Sequence, residues 1–152
     1  MHDEIRKKAK LAGYSEEKGT FLLLPYGAED IGTIVSALGG PHSVDTIISV
    51  LTLCSVPEPE ATISALVDQA LKPGGKLLFY EHVRSEREDV AWWQSFWTPI
   101  WKVAFDGCII GRPCDAMIAR LDVWQEKEIS GLEGEDPENL FIHSVGKLTK
   151  RA

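Results

Sequence analysis

Hydrophobic residues in this chain form short runs that alternate with segments of helical spacing. Residues 44–51 (VDTIISVL) and 76–80 (KLLFY) are almost entirely apolar, which is typical of strands buried on both faces of a parallel sheet. Residues 20–24 (TFLLL), bounded by Gly19 and Pro25, predict a further short strand. Between these runs, apolar residues recur at helical spacing. The predicted helices cover residues 2–13, 29–38, 60–71, 89–105 and 115–121.

Two segments near the carboxyl terminus alternate apolar and polar residues, as half-buried strands do. They are residues 123–129 and 140–148, and the acidic stretch 131–139 connects them in the manner of a hairpin loop. In the part of the chain that precedes these two segments, predicted strands and helices alternate and are joined by short connections. The sequence therefore predicts an α/β fold with a mostly parallel sheet and an antiparallel end.

Three segments, in order along the chain, carry a family resemblance. They are IISVLTLCSV (residues 47–56), LKPGGKLLFYEH (residues 71–82), and the stretch from Trp101 to the FDGC of residues 105–108. Together they resemble the class I S-adenosylmethionine (SAM)-dependent methyltransferases of the ubiquinone/menaquinone-biosynthesis type, and among these the thiol-methyltransferase-like small-molecule branch. The Lys-Pro-Gly-Gly turn alone is a weaker signal, because many helix-to-strand connections use proline and glycine.

The resemblance implies a Rossmann-like sheet of order 3-2-1-4-5-7-6, with SAM over the carboxyl ends of the strands. Residues 20–24 then correspond to strand 3, residues 44–51 to strand 4 and residues 76–80 to strand 5, and the two tail segments to strands 6 and 7. The glycine-rich loop after strand 1 has no counterpart, because no other glycine-rich stretch follows a strand and opens a helix. We expect residues 1–152 to form a single truncated methyltransferase-like domain, a partial sheet that lacks strands 1 and 2.

The resemblance assigns two loops to the cofactor. Glu29, in the loop after strand 3, is the expected acidic contact to the adenine; the alternative is that Glu29 or Asp30 caps the following helix. The loop after strand 4 is expected to line the pocket near the transferred methyl group. The residues expected to bind SAM are Gly27, Ala28, Glu29, Leu51, Thr52 and Leu53.

Two residues at the end of strand 5 are the catalytic candidates. Glu81 and His82 lie on the cofactor side of the sheet, where a general base for a substrate hydroxyl or thiol is needed. The alternative is a pair that faces solvent or a backbone carbonyl. Cys54 is either a small buried apolar residue or a reactive thiol. The remaining cysteines and histidines have no CxxC or HxxxH spacing, so no metal site is predicted.

Residues 89–105 hold four of the five tryptophans. Trp93, Trp97 and Trp101 are four positions apart and form one helical stripe, which Pro99 is expected to kink. By the resemblance, residues 87–121 are a helical lid insertion in which these tryptophans bind the substrate. Aromatic walls suit a hydrophobic small molecule. The alternative is that the tryptophans pack against the core or a second chain.

Charge and composition limit the kinds of binding partner and the cellular location that we expect for this chain. A net charge of −7 argues against nucleic acid and anionic membranes as partners. No apolar stretch reaches the length of a membrane span, and three scattered cysteines fit a reducing compartment, so a cytoplasmic location is expected. Without strands 1 and 2, strand 4 is an open apolar edge, and a homodimer or a partner that completes the sheet is expected to cover it.

Two functions are consistent with these features. The first is a SAM-dependent methyltransferase that acts on a hydrophobic small molecule in secondary metabolism, with the missing cofactor loop supplied elsewhere. The second is a methyltransferase-derived protein that does not transfer methyl groups and instead binds a ligand, catalyses a cofactor-free rearrangement or dimerises. The resemblance favours the first, and the missing glycine-rich loop favours the second.

Overall fold

The computed structural model of the protein describes residues 2–152 and contains one mixed sheet of four strands. Met1, the first residue of the predicted domain, lies outside the described residues. The elements in chain order are α1 (His2–Leu11), α2 (Ile31–Ala37), β1 (Val44–Val50), α3 (Pro59–Ala65), a π-helical turn (Leu66–Ala70), β2 (Leu71–His82), α4 (Glu88–Ala104), α5 (Cys114–Ala119), β3 (Trp124–Gly131) and β4 (His143–Lys150).

The sheet has the strand order β1-β2-β4-β3. β1 and β2 are parallel, and β4 lies antiparallel between β2 and β3. This arrangement confirms the predicted α/β class with an antiparallel end, although the sheet is mixed rather than mostly parallel, because only β1 and β2 pair in parallel. It also matches the 4-5-7-6 portion of the strand order that the resemblance implies, because β4, the last strand in sequence, inserts beside β2.

One face of the sheet forms the core. Leu77 of β2 and Leu148 of β4 are paired in register and both are fully buried. The helical side of this core comes from α3, the π-helical turn and α5, because apolar residues at helical spacing turn one face of each towards the sheet. The core residues are Leu53, Ile63, Val67, Leu71, Leu77, Phe79, Cys114, Ile118, Trp124 and Leu148.

The first part of β2 depends on two glycines and a lysine. Gly74 has φ +73°, a left-handed conformation that favours glycine. A Cβ at Gly75 would lie 2.8 Å from the Lys72 carbonyl oxygen, so this position also requires glycine. The ammonium group of Lys150 donates to the carbonyls of Val67 (2.7 Å), Asp68 (3.2 Å) and Leu71 (3.0 Å), and so satisfies the end of the π-helical turn.

The predicted strand at residues 20–24 is wrong. This segment has no strand pairing; the Thr20 amide donates to the Ser15 carbonyl and the Leu23 amide to the Glu16 carboxylate. A strand forms only beside a partner, and within residues 2–152 no strand lies on the outer side of β1. Ile48 and Val50 of β1 are accordingly 67% and 53% exposed.

None of the helices within residues 2–152 is both long and apolar enough to cross a bilayer.

Candidate functional site

The carboxyl ends of β1 and β2 meet at a buried carboxylate. Glu81 is fully buried, and the Ser49 hydroxyl donates to its Oε1 at 2.6 Å. The amides of Thr52 and Leu53 also donate to this carboxylate, at 3.1 to 3.3 Å. Glu81 therefore fixes the first turn of the loop that follows β1, and it faces neither solvent nor a backbone carbonyl.

That loop begins with a strained residue. Leu51 has φ +49°, which is unfavourable for a residue with a side chain, and its amide donates to the Tyr80 carbonyl at 2.9 Å. Leu51 is 41% exposed and Thr52 is also exposed, whereas Leu53 is 3% exposed and belongs to the core. Of the three residues expected to line the cofactor pocket after β1, two are accessible to a ligand.

The loop before α2 holds the other cofactor candidates. Gly27 and Glu29 are exposed, and Ala28 is half-buried. The Glu29 carboxylate folds back over Gly27, where a Cβ would collide with it. Asp30 is the N-terminal cap residue of α2 but makes no side-chain capping hydrogen bond, so the capping alternative has no hydrogen bond to support it.

His82 lies in a ring of aromatic side chains. Its imidazole is half-buried, with the ring of His143 at 4.7 Å and that of Phe141 at 5.9 Å between centroids. Burial, and then the neighbouring His143, lowers the pKa of His82 below its ordinary value of 6.5. His82 is therefore neutral near pH 7 and able to accept a proton.

Two buried cysteines lie beside this histidine. The Sγ atoms of Cys54 and Cys108 are 3.3 Å apart, and Cys108 Sγ is 3.9 Å from His82 Nδ1. Burial, followed by the hydrogen bond with Cys108, raises the pKa of Cys54 to about 12. Cys54 is 2% exposed, so in the unliganded chain it is a buried neutral thiol, in agreement with the buried alternative. Burial also raises the pKa of Cys114.

Helix α4 is attached to the sheet through a polar residue. Gln94 is fully buried; its amide nitrogen donates to the carbonyls of Val83 (3.1 Å) and Leu140 (3.0 Å), and its oxygen accepts from the Ser85 amide (2.9 Å). Gln94 is not among the site residues that the sequence predicts. A polar residue amid the tryptophans was its only signal.

The tryptophan stripe divides between two places. Trp97 and Trp101 line an apolar cavity of about 300 Å³. Trp93 packs instead against Trp92 and Phe96 and is 46% exposed. Within residues 2–152 the buried Trp101 Nε1 has no hydrogen-bond partner, so it is a free donor beside this cavity. The other lining residues are Ile100, Ile110, Leu140 and Phe141.

The cavity adjoins the carboxyl end of β2. The ring of Phe141 lies 4.6 Å from Trp101 on one side and 5.9 Å from His82 on the other, between centroids. The structure therefore brings together His82, the two cysteines, Trp97 and Trp101. This is the edge of the sheet at which doubly wound folds bind their ligands.

The fold is that of the class I SAM-dependent methyltransferases. A SAM-dependent methyltransferase from Thermotoga maritima superimposes with a TM-score of 0.60 at 18% identity, over 94% of this chain and 69% of that one. An O-methyltransferase family protein from Burkholderia thailandensis gives a TM-score of 0.64 at 12% identity, over 99% of this chain and 41% of that one. At these identities the likeness establishes the fold alone.

Sequence relatives define the relationship more narrowly. Thiol S-methyltransferase TMT1B of Rattus norvegicus is 41% identical over 113 residues, which cover 71% of this chain and 44% of the relative. Thiol S-methyltransferase TMT1A of Homo sapiens is 39% identical over 74 residues, 46% of this chain and 29% of the relative. No protein-family model matches the chain. The chain is thus a relative of the thiol S-methyltransferases with a class I SAM-dependent methyltransferase fold, which confirms the resemblance and implies SAM as the cofactor.

The matched regions cover only part of each relative. The chain spans less than half the length of these curated relatives, 44% of the rat protein and 29% of the human TMT1A. The fold is therefore shown for the portion that is present. The activity of the whole relatives, with its substrate, is taken up as a proposal below.

Proposed function

We propose that this chain forms the substrate-facing part of a SAM-dependent methyltransferase whose acceptor is a hydrophobic small-molecule thiol. The observation that carries the proposal is the apolar cavity of about 300 Å³ that adjoins His82 through Phe141. The relatives are named as thiol S-methyltransferases, and this supports a thiol as the acceptor group. A lipophilic acceptor of this kind fits a role in secondary metabolism.

The residues at the carboxyl end of β1 fit the cofactor in part. Leu51 and Thr52 are exposed there and offer an apolar side chain and a hydroxyl, while the Thr52 amide is already engaged by Glu81. The exposed loop of Gly27, Ala28 and Glu29 would hold the adenine end. When bound, SAM supplies a methyl group activated by its sulfonium charge.

Deprotonation of the acceptor is the step that this chain's own side chains serve. His82, neutral because burial and His143 lower its pKa, accepts the thiol proton and leaves the thiolate that methyl transfer requires. Glu81 acts as a positioning residue, because all its contacts are to β1 and the turn that follows. Residues 87–121, which include α4 and α5, act as the lid over the acceptor.

Trp97 and Trp101 are the proposed acceptor-binding residues. Large rigid rings bury apolar area at small cost in conformational entropy, which suits a lipophilic thiol. The Trp101 indole nitrogen is an unpartnered donor, so an acceptor with one polar group close to its apolar body would satisfy it.

Isothermal titration calorimetry with SAM, followed by a methyl-transfer assay with a hydrophobic aryl thiol, tests this function. We expect micromolar SAM binding and a KM for the thiol that rises about tenfold in Trp97→Ala, whose side chain lines the cavity. Trp93→Ala is the matched control, because Trp93 lies outside the cavity. No detectable SAM binding by the 152-residue chain, together with no methylation of the thiol, would contradict the proposed function.

A second function is supported by one observation. Within residues 2–152, the loops from β1 to α3 and from β2 to α4 contain no glycine, so neither has the form of the cofactor loop. On this reading the chain binds a hydrophobic ligand, or carries out a cofactor-free rearrangement, without methyl transfer. Binding of the aryl thiol that is lost in Trp97→Ala, together with no SAM binding, would favour this second function.

We also propose that the outer edge of β1 is covered by a second copy of the chain. The edge carries Ile48 and Val50, both more than half exposed, and an uncovered apolar edge of this kind favours strand-to-strand association. A partner protein that completes the sheet is the alternative, and the mass of the isolated chain in solution separates the two.

A further inference from the structure

Three potential metal ligands from separate parts of the chain meet beside the candidate site. Cys54 follows β1, His82 ends β2, and Cys108 lies between α4 and α5. Their ligand atoms lie within 4.8 Å of one another, and both cysteines are free thiols. The sequence predicts no metal site, because 28 positions separate Cys54 from His82 and 26 separate His82 from Cys108, and no short spacing motif contains them.

Two of the three distances among the ligand atoms are close to those of a tetrahedral zinc site. Zinc bonds of about 2.3 Å to sulfur and about 2.0 Å to nitrogen place two sulfurs about 3.8 Å apart and a sulfur and a nitrogen about 3.5 Å apart. The observed separations are 3.3 Å for the two sulfurs and 3.9 Å for Cys108 Sγ and His82 Nδ1. Shifts of up to about half an ångström on these two edges, with the Cys54 sulfur and the imidazole already within 4.8 Å of each other, would accommodate the cation.

The loops that carry the two cysteines are fixed to each other. The Ile109 amide donates to the Cys54 carbonyl at 3.0 Å, and Arg112 Nη1 donates to the carbonyls of Leu53 (2.8 Å) and Val56 (2.5 Å). Gly107, with φ +87°, allows the turn after α4 that directs Cys108 inwards. The thiols are thus placed together by hydrogen bonds that do not involve the thiols themselves.

We propose that Cys54, His82 and Cys108 form a three-ligand site for a zinc-class divalent cation. On binding, each thiol loses its proton to solvent, so that two thiolates and one neutral imidazole neutralise the charge of the cation. Within residues 2–152 no fourth histidine, cysteine or carboxylate joins the group. The fourth position is therefore open to an exogenous ligand, as in catalytic rather than structural zinc sites.

This site shares His82 with the proposed methyl transfer, and it changes the role of that residue. In the metal-bound chain the Nδ1 lone pair is committed to the cation, so His82 acts as a proton acceptor only in the metal-free chain. A cation at this position would also neutralise the two buried sulfurs, whose charged forms the surrounding apolar residues otherwise disfavour.

Titration with cobalt(II) chloride tests the site. The chain is kept reduced with a phosphine and freed of metal with a chelator. We expect one equivalent of Co²⁺ to bind, with thiolate-to-metal charge-transfer absorption and the strong visible bands of a tetrahedral ion, and Zn²⁺ to displace it. Loss of a residue that only hydrogen-bonds a metal ligand lowers metal affinity by about 10- to 100-fold. Loss of a ligand itself should lower it further, so Cys54→Ser and Cys108→Ser should each weaken Co²⁺ binding by more than about 100-fold.

The third buried cysteine gives a matched control. Cys114 is fully buried but lies outside the three-ligand group, so Cys114→Ser should retain the charge-transfer band. His82→Gln, at a half-buried position, should keep the far-ultraviolet circular dichroism of the folded chain and weaken Co²⁺ binding. The proposal is overturned if no charge-transfer band appears, if Cys54→Ser and Cys108→Ser retain it, or if the reduced chain forms a Cys54–Cys108 disulfide in air but binds no metal. Calorimetry with SAM on the same metal-free samples reports separately on the proposed function.

Discussion

The Glu81 carboxylate lies 3.1 Å from the Thr52 amide through each of its oxygens. This contact joins the end of β2 to the strained start of the loop after β1, where Leu51 has φ +49°. A single buried acid therefore holds the turn that carries Leu51, Thr52 and Cys54.

Glu81→Ala should strongly destabilise the fold. The substitution leaves the Ser49 hydroxyl and the Thr52 and Leu53 amides without their acceptor, and hydrogen bonds to a charged group contribute about 1.5–3 kcal/mol each. We expect a loss of about 3 kcal/mol or more in the free energy of unfolding, measured by urea denaturation. Glu17→Ala, at an exposed acid, should change it by less than about 0.5 kcal/mol. Equal effects of the two variants would contradict the role given to Glu81.

Gly75→Ala should also destabilise the chain. A Cβ there would lie 2.7 Å from Leu71 Cδ1 and 2.8 Å from the Lys72 carbonyl oxygen, so the backbone and the core must shift. Such overpacking lowers the free energy of unfolding by about 1–3 kcal/mol. Gly32→Ala is the matched control, since a Cβ at this exposed position in α2 meets no atom within 4 Å. Alanine favours helix by about 1 kcal/mol, so Gly32→Ala should raise the melting temperature and Gly75→Ala should lower it.

The sequence predicted the parts of the fold that have a periodic signal. Residues 44–51 and 76–80 became β1 and the paired part of β2, and residues 89–105 became α4, because burial on one or two faces leaves its period in the sequence. Residues 20–24 have the composition of a strand but no neighbour to pair with. Strand formation depends on that neighbour, so composition alone gave the wrong result.

The candidate site was only partly predictable for a related reason. His82 and Trp97 were found from strand-end position and helical spacing. Gln94 and the group formed by Cys54 and Cys108 depend on how distant segments meet, and no local pattern encodes this. The sequence also could not show that Glu81, as a buried acceptor, would engage the loop after β1 rather than face the substrate.

Lys150→Met should lower the free energy of unfolding by more than the same substitution of a surface lysine does. Its ammonium group satisfies three carbonyls at the end of the π-helical turn, and charged hydrogen bonds that are partly buried contribute about 1.5–3 kcal/mol. We expect a loss of about 2 kcal/mol in the free energy of unfolding. Lys147→Met removes only an exposed ion pair with Glu128, at 3.0 Å, and should cost about 0–1 kcal/mol. A smaller effect at position 150 than at 147 would exclude this capping role.

Glu135 should contribute stability that depends on pH. Burial acts to raise its pKa, but the bonds from the ring and the amide of His143 outweigh burial, so the folded-state pKa lies below the ordinary 4.5. A lowered carboxyl pKa adds stability above the unfolded-state value, and this stability is lost as pH falls through the folded-state value. The difference in free energy of unfolding between the natural chain and Glu135→Gln should therefore have its largest value at pH 7 and decrease below pH 4.5. Glu133→Gln, at an exposed acid, should show no such trend.

The free edge of β1 should govern association of the chain. Ile48 is 67% exposed on this edge strand, and a lysine there places a charge where a second strand would dock. If a second copy covers the edge, light scattering after size exclusion should give a dimer mass at micromolar concentration, and Ile48→Lys should give a monomer with unchanged circular dichroism. Leu22→Lys is the control, because Leu22 is also exposed, at 54%, but lies outside the sheet. A monomer for the natural chain, or a dimer that survives in Ile48→Lys, would show that a second copy does not cover the edge.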